Sequence, residues 1–310
     1  MKRIISAIKD GFEEKALSIL KDSDSSLSVK NYLKLVNQAF KFDTAKILEW
    51  LINYSRHRFN LGNIDWNYEF ENAIVEGHLE IIKLLLSDNG IDHYAINQAI
   101  KYSSKRGNTK IVKLLLQDKR ADPSALNNVA IMSASENGHL EVIKLLLSDK
   151  RVDPSANNNE VITKSSANNH PDVIKLLLQD KRVDPSVDSS YPIHLASSRG
   201  YLEIVKHLLS DERVDPSKWT NHAIIFASHN GHLEVVKILL QDKRVDPSAR
   251  NNYAILSASE NGYSEIVKLL LLDKRVNPCA ENNYAIKYAR KNRHLEVVKI
   301  LEEAGCNLSS

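Results

Sequence analysis

The chain has 310 residues, 43% of them hydrophobic and 26% charged, with a formal net charge of +3. That is ample apolar content for a folded core under a mixed surface, and it implies no electrostatic partner. No apolar run lasts more than a handful of residues before a charge interrupts it, which excludes a membrane-spanning helix.

The chain copies itself. Asp-Pro recurs at 122–123, 153–154, 184–185, 215–216 and 246–247, then as Asn277-Pro278, always 31 residues on. A fixed period of this size is the signature of a repeat array that grows by adding units, so the usual ratio of length to domains does not apply.

Taken in order, the opening MKRIISAIKDG has basic residues but meets Lys9-Asp10 before a secretory apolar segment could form. Ala7–Leu20 is a faint copy of the repeat, aligned through Ala7, Gly11, Leu17 and Leu20, and Ala39–Leu51 is a poorer one without a turn glycine. The irregular stretch Ile52–Asn67 reads as a loop insertion. From Gly77 the pattern is firm: Gly77, Gly107, Gly138, Gly200, Gly231 and Gly262 mark turns, with Asn169 and Arg293 in the same slot, for ten units in all.

Each unit resolves into two short helices. In the clearest copy, Ala130, Ile131, Ala134 and Ser135 recur at helical spacing and predict helix A, about two turns long, which Asn137-Gly138 ends in the left-handed conformation. Leu140–Ser148 is apolar on nearly all sides and predicts helix B, covered on both flanks. The X-Pro step at Asp153-Pro154 then forces extended backbone. Helices this short are marginal alone and exist because they stack. Glu302-Glu303, in place of Leu271-Leu272, supplies the polar end that a stack needs.

A unit of this kind, with Gly-His at its inner turn, resembles the ankyrin repeat. Pro192-Ile193-His194-Leu195-Ala196 matches that family's T-P-L-H-x-A with Tyr191 in the Thr place, and Gly138-His139-Leu140-Glu141-Val142 matches the start of its second helix. The resemblance is strong over 72–304 and weak before it. It implies an all-α solenoid of stacked helix-turn-helix units with short finger loops, divergent capping repeats over 1–70, a regular array over 71–310 and a C-terminal cap over about 282–310. The period is 31 rather than 33, the shortening falls in the finger between Pro154 and Ile162, and this variant is similar to the large ankyrin sets of giant amoebal viruses.

Chemistry is sparse. His78, His139, His232 and His294, with His170 in a variant slot, form a ladder, but one histidine per repeat cannot converge on a metal whose bonds are roughly 2.1 Å when packed helices stand about 8–10 Å apart. Lys119-Arg120, Lys150-Arg151, Lys181-Arg182, Lys243-Arg244 and Lys274-Arg275 could track a phosphate backbone, yet each pair is flanked by acid and no nucleic-acid partner is expected. Cys279 and Cys306 fit neither a disulfide framework nor a zinc set, and read as two separate thiols in a reducing compartment. No phosphate loop or nucleophile motif is present, so neither an enzyme nor a cofactor is expected.

What remains is variation between copies. One row runs Leu126, Asn157, Asp188, Trp219, Arg250, Glu281, and another runs Glu136, Ala167, Ser198, His229, Glu260, Lys291. The family resemblance places both on the finger and concave face, where partners dock. The expected contact set is Asp188, Tyr191, Trp219, His222, His229, Arg250, Tyr253, Glu260 and Glu281, centred on Trp219 at a finger tip. The expected function is a non-enzymatic interaction scaffold, monomeric and intracellular, cytoplasmic or nuclear. The alternative is an adaptor whose residues 1–70 recruit other machinery, such as a ubiquitin ligase, while the repeats choose the client.

Overall fold

The computed structural model describes residues 1–22, 27–58, 66–88 and 90–307. Among them every regular element is a helix, and the helices come in ten antiparallel pairs. Two compact units, 1–130 and 131–310, divide the chain.

Unit 1 holds α1 (Lys2–Lys9), α2 (Glu13–Asp22), α3 (Val29–Lys41), α4 (Ala45–Arg58), α5 (Asn67–Glu76), α6 (Leu79–Ser87), α7 (His93–Arg106) and α8 (Thr109–Leu115). The loop expected over 52–67 is corrected in its first half. Ile47, Leu48, Leu51, Ile52 and Ser55 keep a helical period and are buried, so α4 runs on to Arg58. Residues 59–65 lie outside the described residues, and Trp66, just before α5, is buried. Asp43, in the degenerate copy, takes the turn glycine's place with φ +50.

After α9 (Ala125–Glu136), unit 2 continues with α10 (Leu140–Leu147), α11 (Ala156–Ala167), α12 (Pro171–Leu177), α13 (Val187–Arg199), α14 (Leu202–Leu209) and α15 (Lys218–His229). It closes with α16 (Leu233–Leu239), α17 (Ala249–Glu260), α18 (Ser264–Leu271), α19 (Ala280–Lys291) and α20 (Leu295–Glu303). From α10 to α18 the second helix of each pair buries three residues of one pattern: Val142, Ile143 and Leu146 in α10, Ile204, Val205 and Leu208 in α14. Between the two helices the glycine slot is left-handed, and Asn169 (φ +59) and Arg293 (φ +64) adopt the same conformation where glycine is missing. The amide after it closes the turn, as in His139 N–H to the Ala134 carbonyl at 2.9 Å.

The finger differs from a hairpin. Three consecutive residues take left-handed backbone, φ +52, +57 and +57 at Asn157, Asn158 and Asn159, making one left-handed turn that feeds directly into the right-handed helix. The same turn is built at 126–128, 188–190, 219–221, 250–252 and 281–283. Left-handed backbone costs about 1–2 kcal/mol per L-residue, least for Asn, so the turn must be held. Asp153 Oδ1 accepts from Ser155 N–H (2.9 Å) and Oγ–H (2.6 Å) at its entry. At its exit the buried Asn159 Oδ1 accepts the N–H of Asp184, in the next finger, at 2.7 Å. Asn221 to Asp246 and Asn252 to Asn277 repeat the bond.

The expectation of two separate thiols is also corrected. Cys279 and Cys306 form a disulfide, with Cα atoms 5.3 Å apart. Their 27-residue separation looks wide along the chain, but it spans one helix pair that doubles back on itself.

Candidate functional site

The faithful positions of the repeat are fasteners. A Cβ on Gly138 would fall 2.5 Å from His170 Nδ1, one on Gly200 as close to His232 and one on Gly262 as close to His294. Each imidazole therefore lies on the turn glycine of the preceding repeat. Each Nε2 stands 3.0 Å from a carbonyl of that repeat: His170 on Glu136, His232 on Ser198, His294 on Glu260. A carbonyl only accepts, so the proton sits on Nε2. Packing thus accounts for His170, His232 and His294, and Tyr263 covers Gly231 in the same way.

The arginine half of the basic ladder has a comparable task. Arg213 forks onto the Asp211 carboxylate through Nε and Nη2 at 2.9 and 2.7 Å, while Nη1 donates to the Val183 carbonyl of the preceding repeat at 2.7 Å. Arg182 reaches Val152, Arg244 reaches Val214 and Arg275 reaches Val245 in the same way. The guanidinium hydrogen bonds hold the Asp180, Asp211, Asp242 and Asp273 carboxyls below their usual range. Lys150, Lys181, Lys243 and Lys274 are exposed, and the fastened arginines themselves stay 40–46% exposed.

The variable positions are what these fasteners leave over. Asp188, Trp219, Arg250 and Glu281 are each the first residue of a left-handed turn. Three of them bond to the turn of an adjacent repeat: Asp188 accepts from Asn158 Nδ2 (2.9 Å), Arg250 Nε donates to Thr220 Oγ1 (2.8 Å) and Glu281 accepts from Asn251 Nδ2 (2.6 Å).

Trp219 does not stand free at a tip. Its indole folds back onto α13, stacked on His194 (centroids 5.0 Å, planes 13° apart) and 5.6 Å from Tyr191. His222, one turn on, stands edge-on to Trp219 at 5.6 Å, to His194 at 6.1 Å and to Phe226 at 5.2 Å. Five rings from two repeats thus form one cluster. Trp219 stays 42% exposed and Phe226 40%, whereas His194 is buried.

Of the sequence-predicted set, Tyr191, Trp219 and His222 are brought together. Tyr253 is exposed in the next repeat and makes no ring contact with the cluster. His229, near the end of its helix, lies 3.4 Å from Asn261 Nδ2, and the Glu260 carbonyl receives Asn292 and His294. The sequence reading missed His194 and Phe226. His194 was absorbed into the P-I-H-L-A motif, but Phe226 shares its slot with Ser133, Lys164, Leu195, Ser257 and Tyr288, a row that changes class as freely as those singled out.

The cluster is uncharged. Burial pushes the His194 imidazole down to about 4, outweighing the upward pull of the Ser189 carbonyl. Its Nε2 lies 3.2 Å from that carbonyl and its buried Nδ1 has no partner, as fits a neutral ring protonated on Nε2. His222 is pushed down as well, first by burial and then by Arg250. Such a surface offers ring faces and edges for stacking.

Unit 1 carries two grooves between its first-position helices. One of about 400 Å³ between α5 and α7 is lined by Glu71, Val75, Tyr94, Gln98 and Tyr102. Another of about 410 Å³ between α3 and α5 is lined by Asn37, Phe40, Lys41, Tyr68 and Asn72. Among the described residues no helix is long and apolar enough to cross a membrane, and no group of three His, Cys, Asp or Glu side chains could hold a metal ion.

The sequence matches the family model for ankyrin repeats over residues 70–158, 162–251 and 224–310. No curated protein sequence matches it significantly. Among solved structures it is similar to the crystal structure of an ankyrin repeat protein, with 23% identity, 67% of this chain and 98% of that chain covered, and a TM-score of 0.40.

Proposed function

The chain belongs to the ankyrin-repeat family, whose repeats are generally protein–protein interaction modules, and we propose that it is a non-enzymatic scaffold that binds a protein through the helix-A face and fingers of residues 188–260. The observation that carries this reading is the ring cluster of Tyr191, His194, Trp219, His222 and Phe226. Trp and Tyr dominate binding energy where they are packed and preorganised, because little side-chain freedom is left to lose on docking. Trp219 meets that condition, since its neighbours already fix its ring. The contact set is Asp188, Tyr191, Trp219, His222, His229, Arg250, Tyr253, Glu260 and Glu281, with Phe226 added and His194 as the residue that positions Trp219.

The test is affinity capture with the full chain, quantified against a Trp219→Ala, Phe226→Ala double variant whose helicity and thermal midpoint are verified first. The principal partner should be retained at least tenfold less well. Equal retention by the double variant would refute this placement.

A second reading is favoured by the groove lined by Phe40 and the 72%-exposed Tyr68. In it the divergent residues 1–70, beyond capping the array, recruit other machinery while the regular repeats over 71–310, capped at 282–310, select a client. Tyr68→Ala should then lose a set of partners distinct from those lost with Trp219. If the two variants lose the same proteins, the adaptor reading fails. The 31-residue period supports placing the chain with the ankyrin sets of giant amoebal viruses, in which case the partner is a host protein and the setting is the cytoplasm or nucleus.

A further inference from the structure

We propose that Cys279 and Cys306 are a reversible covalent clasp that closes the repeat of α19 and α20, and that small thiols open it. The register of the repeat is the first argument. The arginines that fasten one repeat to the one before fall at 182, 213, 244 and 275, and each donates to the carbonyl 30 residues back. The next position on that grid is 306. There the chain has no guanidinium, and the connection from the end of a second helix back to its own finger is made by sulfur instead.

The partner cysteine is equally placed. Cys279 occupies the slot of Ser124, Ser155, Ser186, Ser217 and Ser248, whose hydroxyls each donate to an aspartate at 2.6–2.7 Å. In the last finger that hydroxyl bond is gone, and only the backbone bond from Cys279 N–H to Asn277 Oδ1 remains, at 3.0 Å. The closing asparagine is bonded differently too. Asn159, Asn221 and Asn252 cap the amide of a following finger, but Asn283 Oδ1 is buried without a partner, and its Nδ2 donates to the Asn307 carbonyl at 3.1 Å. The last repeat is thus short of two fasteners that its predecessors have, and both cysteines of the chain lie where a substitute would be needed.

Access sets the chemistry. Cys306 is fully buried and Cys279 half-buried, so an external thiolate meets the Cys279 sulfur first. Attack there forms a mixed disulfide on Cys279 and releases the Cys306 thiolate, which takes up a proton. A second thiolate attacks the mixed disulfide and frees Cys279, which is protonated in turn. The protein disulfide gains two electrons, and two small thiols leave as one small disulfide. Glutathione disulfide drives the reverse. The clasp concerns α19, α20 and the finger between Val276 and Asn283, and it is independent of where a partner docks.

The experiment uses the full chain in glutathione buffers of set ratio. Differential alkylation with mass spectrometry counts the thiols, and hydrogen exchange follows backbone opening. Oxidised and reduced forms should interconvert, and in the reduced form amides of 279–307 should exchange at least tenfold faster while those of 131–250 stay unchanged. Cys279→Ser, which restores the residue that five other fingers carry, should behave like the reduced protein at every ratio. Thiols that stay free in excess glutathione disulfide would overturn the proposal. So would exchange that reduction alters less than twofold, or that it accelerates throughout the chain.

Discussion

Replacing His194 by leucine should remove most of the acid sensitivity of unit 2 between pH 6.5 and 5. The imidazole is 5% exposed, and burial, helped by the nearby His222, lowers its pKa from 6.5 to about 4. The unfolded chain therefore takes up a proton as the pH falls below 6.5, while the folded protein does not until about pH 4. Stability on this account is full above pH 6.5 and declines toward pH 4, because the unfolded state binds more protons throughout that window. At about 1.36 kcal/mol per unit of pH, the decline is about 2 kcal/mol by pH 5. The carboxylates paired with Arg182, Arg213 and Arg244 are lowered from 3.8, so their contribution is lost at lower pH and does not overlap. Leucine suits the site because Met132, Ile225 and Leu256 hold the same slot in other copies, and the Ser189 carbonyl it abandons belongs to an exposed residue that water can reach. Urea unfolding at pH 7, 6 and 5, followed by the fluorescence of Trp219 against that ring, gives the comparison. Wild type should lose about 2 kcal/mol across the series and His194→Leu less than half of that, His222 accounting for the remainder. A flat wild-type profile, or a variant that declines in parallel with it, would refute the argument from a buried neutral ring.

Arg213→Met removes the bond to the Val183 carbonyl and the fork on Asp211. With the side chain 40% exposed, the cost should be about 1 kcal/mol by urea unfolding, with Arg213→Lys recovering little because an ammonium cannot fork. Ser135, Ser166, Ser197, Ser228 and Ser259 form a fully buried column whose hydroxyls have no hydrogen-bond partner. Ser228→Ala should therefore raise stability by about 1 kcal/mol, and a lowered unfolding midpoint would show that the hydroxyl has a partner after all.

How much of this was legible follows from what each residue does. Apolar content located the second helix at Leu140–Ser148, and the glycine grid located the turns, including the left-handed Asn169 and Arg293. The asparagine that ends five of the six fingers, with Ser190 in the other, is a comparable signal, yet it went unread. Its work is to hold a left-handed turn and cap an amide 25 residues away, which leaves no mark in hydrophobic period or turn glycine. A run such as Asn157-Asn158-Asn159, from a residue type that tolerates left-handed backbone, was the available signal.

The same offset accounts for the one neighbour of Trp219 that the sequence did not reveal, His194. Asn157 Nδ2 meets Met132 Sδ at 2.9 Å, and Trp219 stacks on His194, so in both copies the first residue of a finger covers the residue 25 positions earlier. Lengthwise reading treats those two rows as separate, and the stacking of Trp219 on His194 then goes unseen. Joined at that offset, they give Asn157 over Met132 and Trp219 over His194, and only the second pair supplies two stacked rings. The imidazole, the carbonyl-bound arginines and the capping asparagines are occupied within the stack, and a partner can reach only what they leave. Under the proposed function the rings around Trp219 are the docking surface, so a change at Trp219 should weaken binding while a change at Arg213 should weaken the fold.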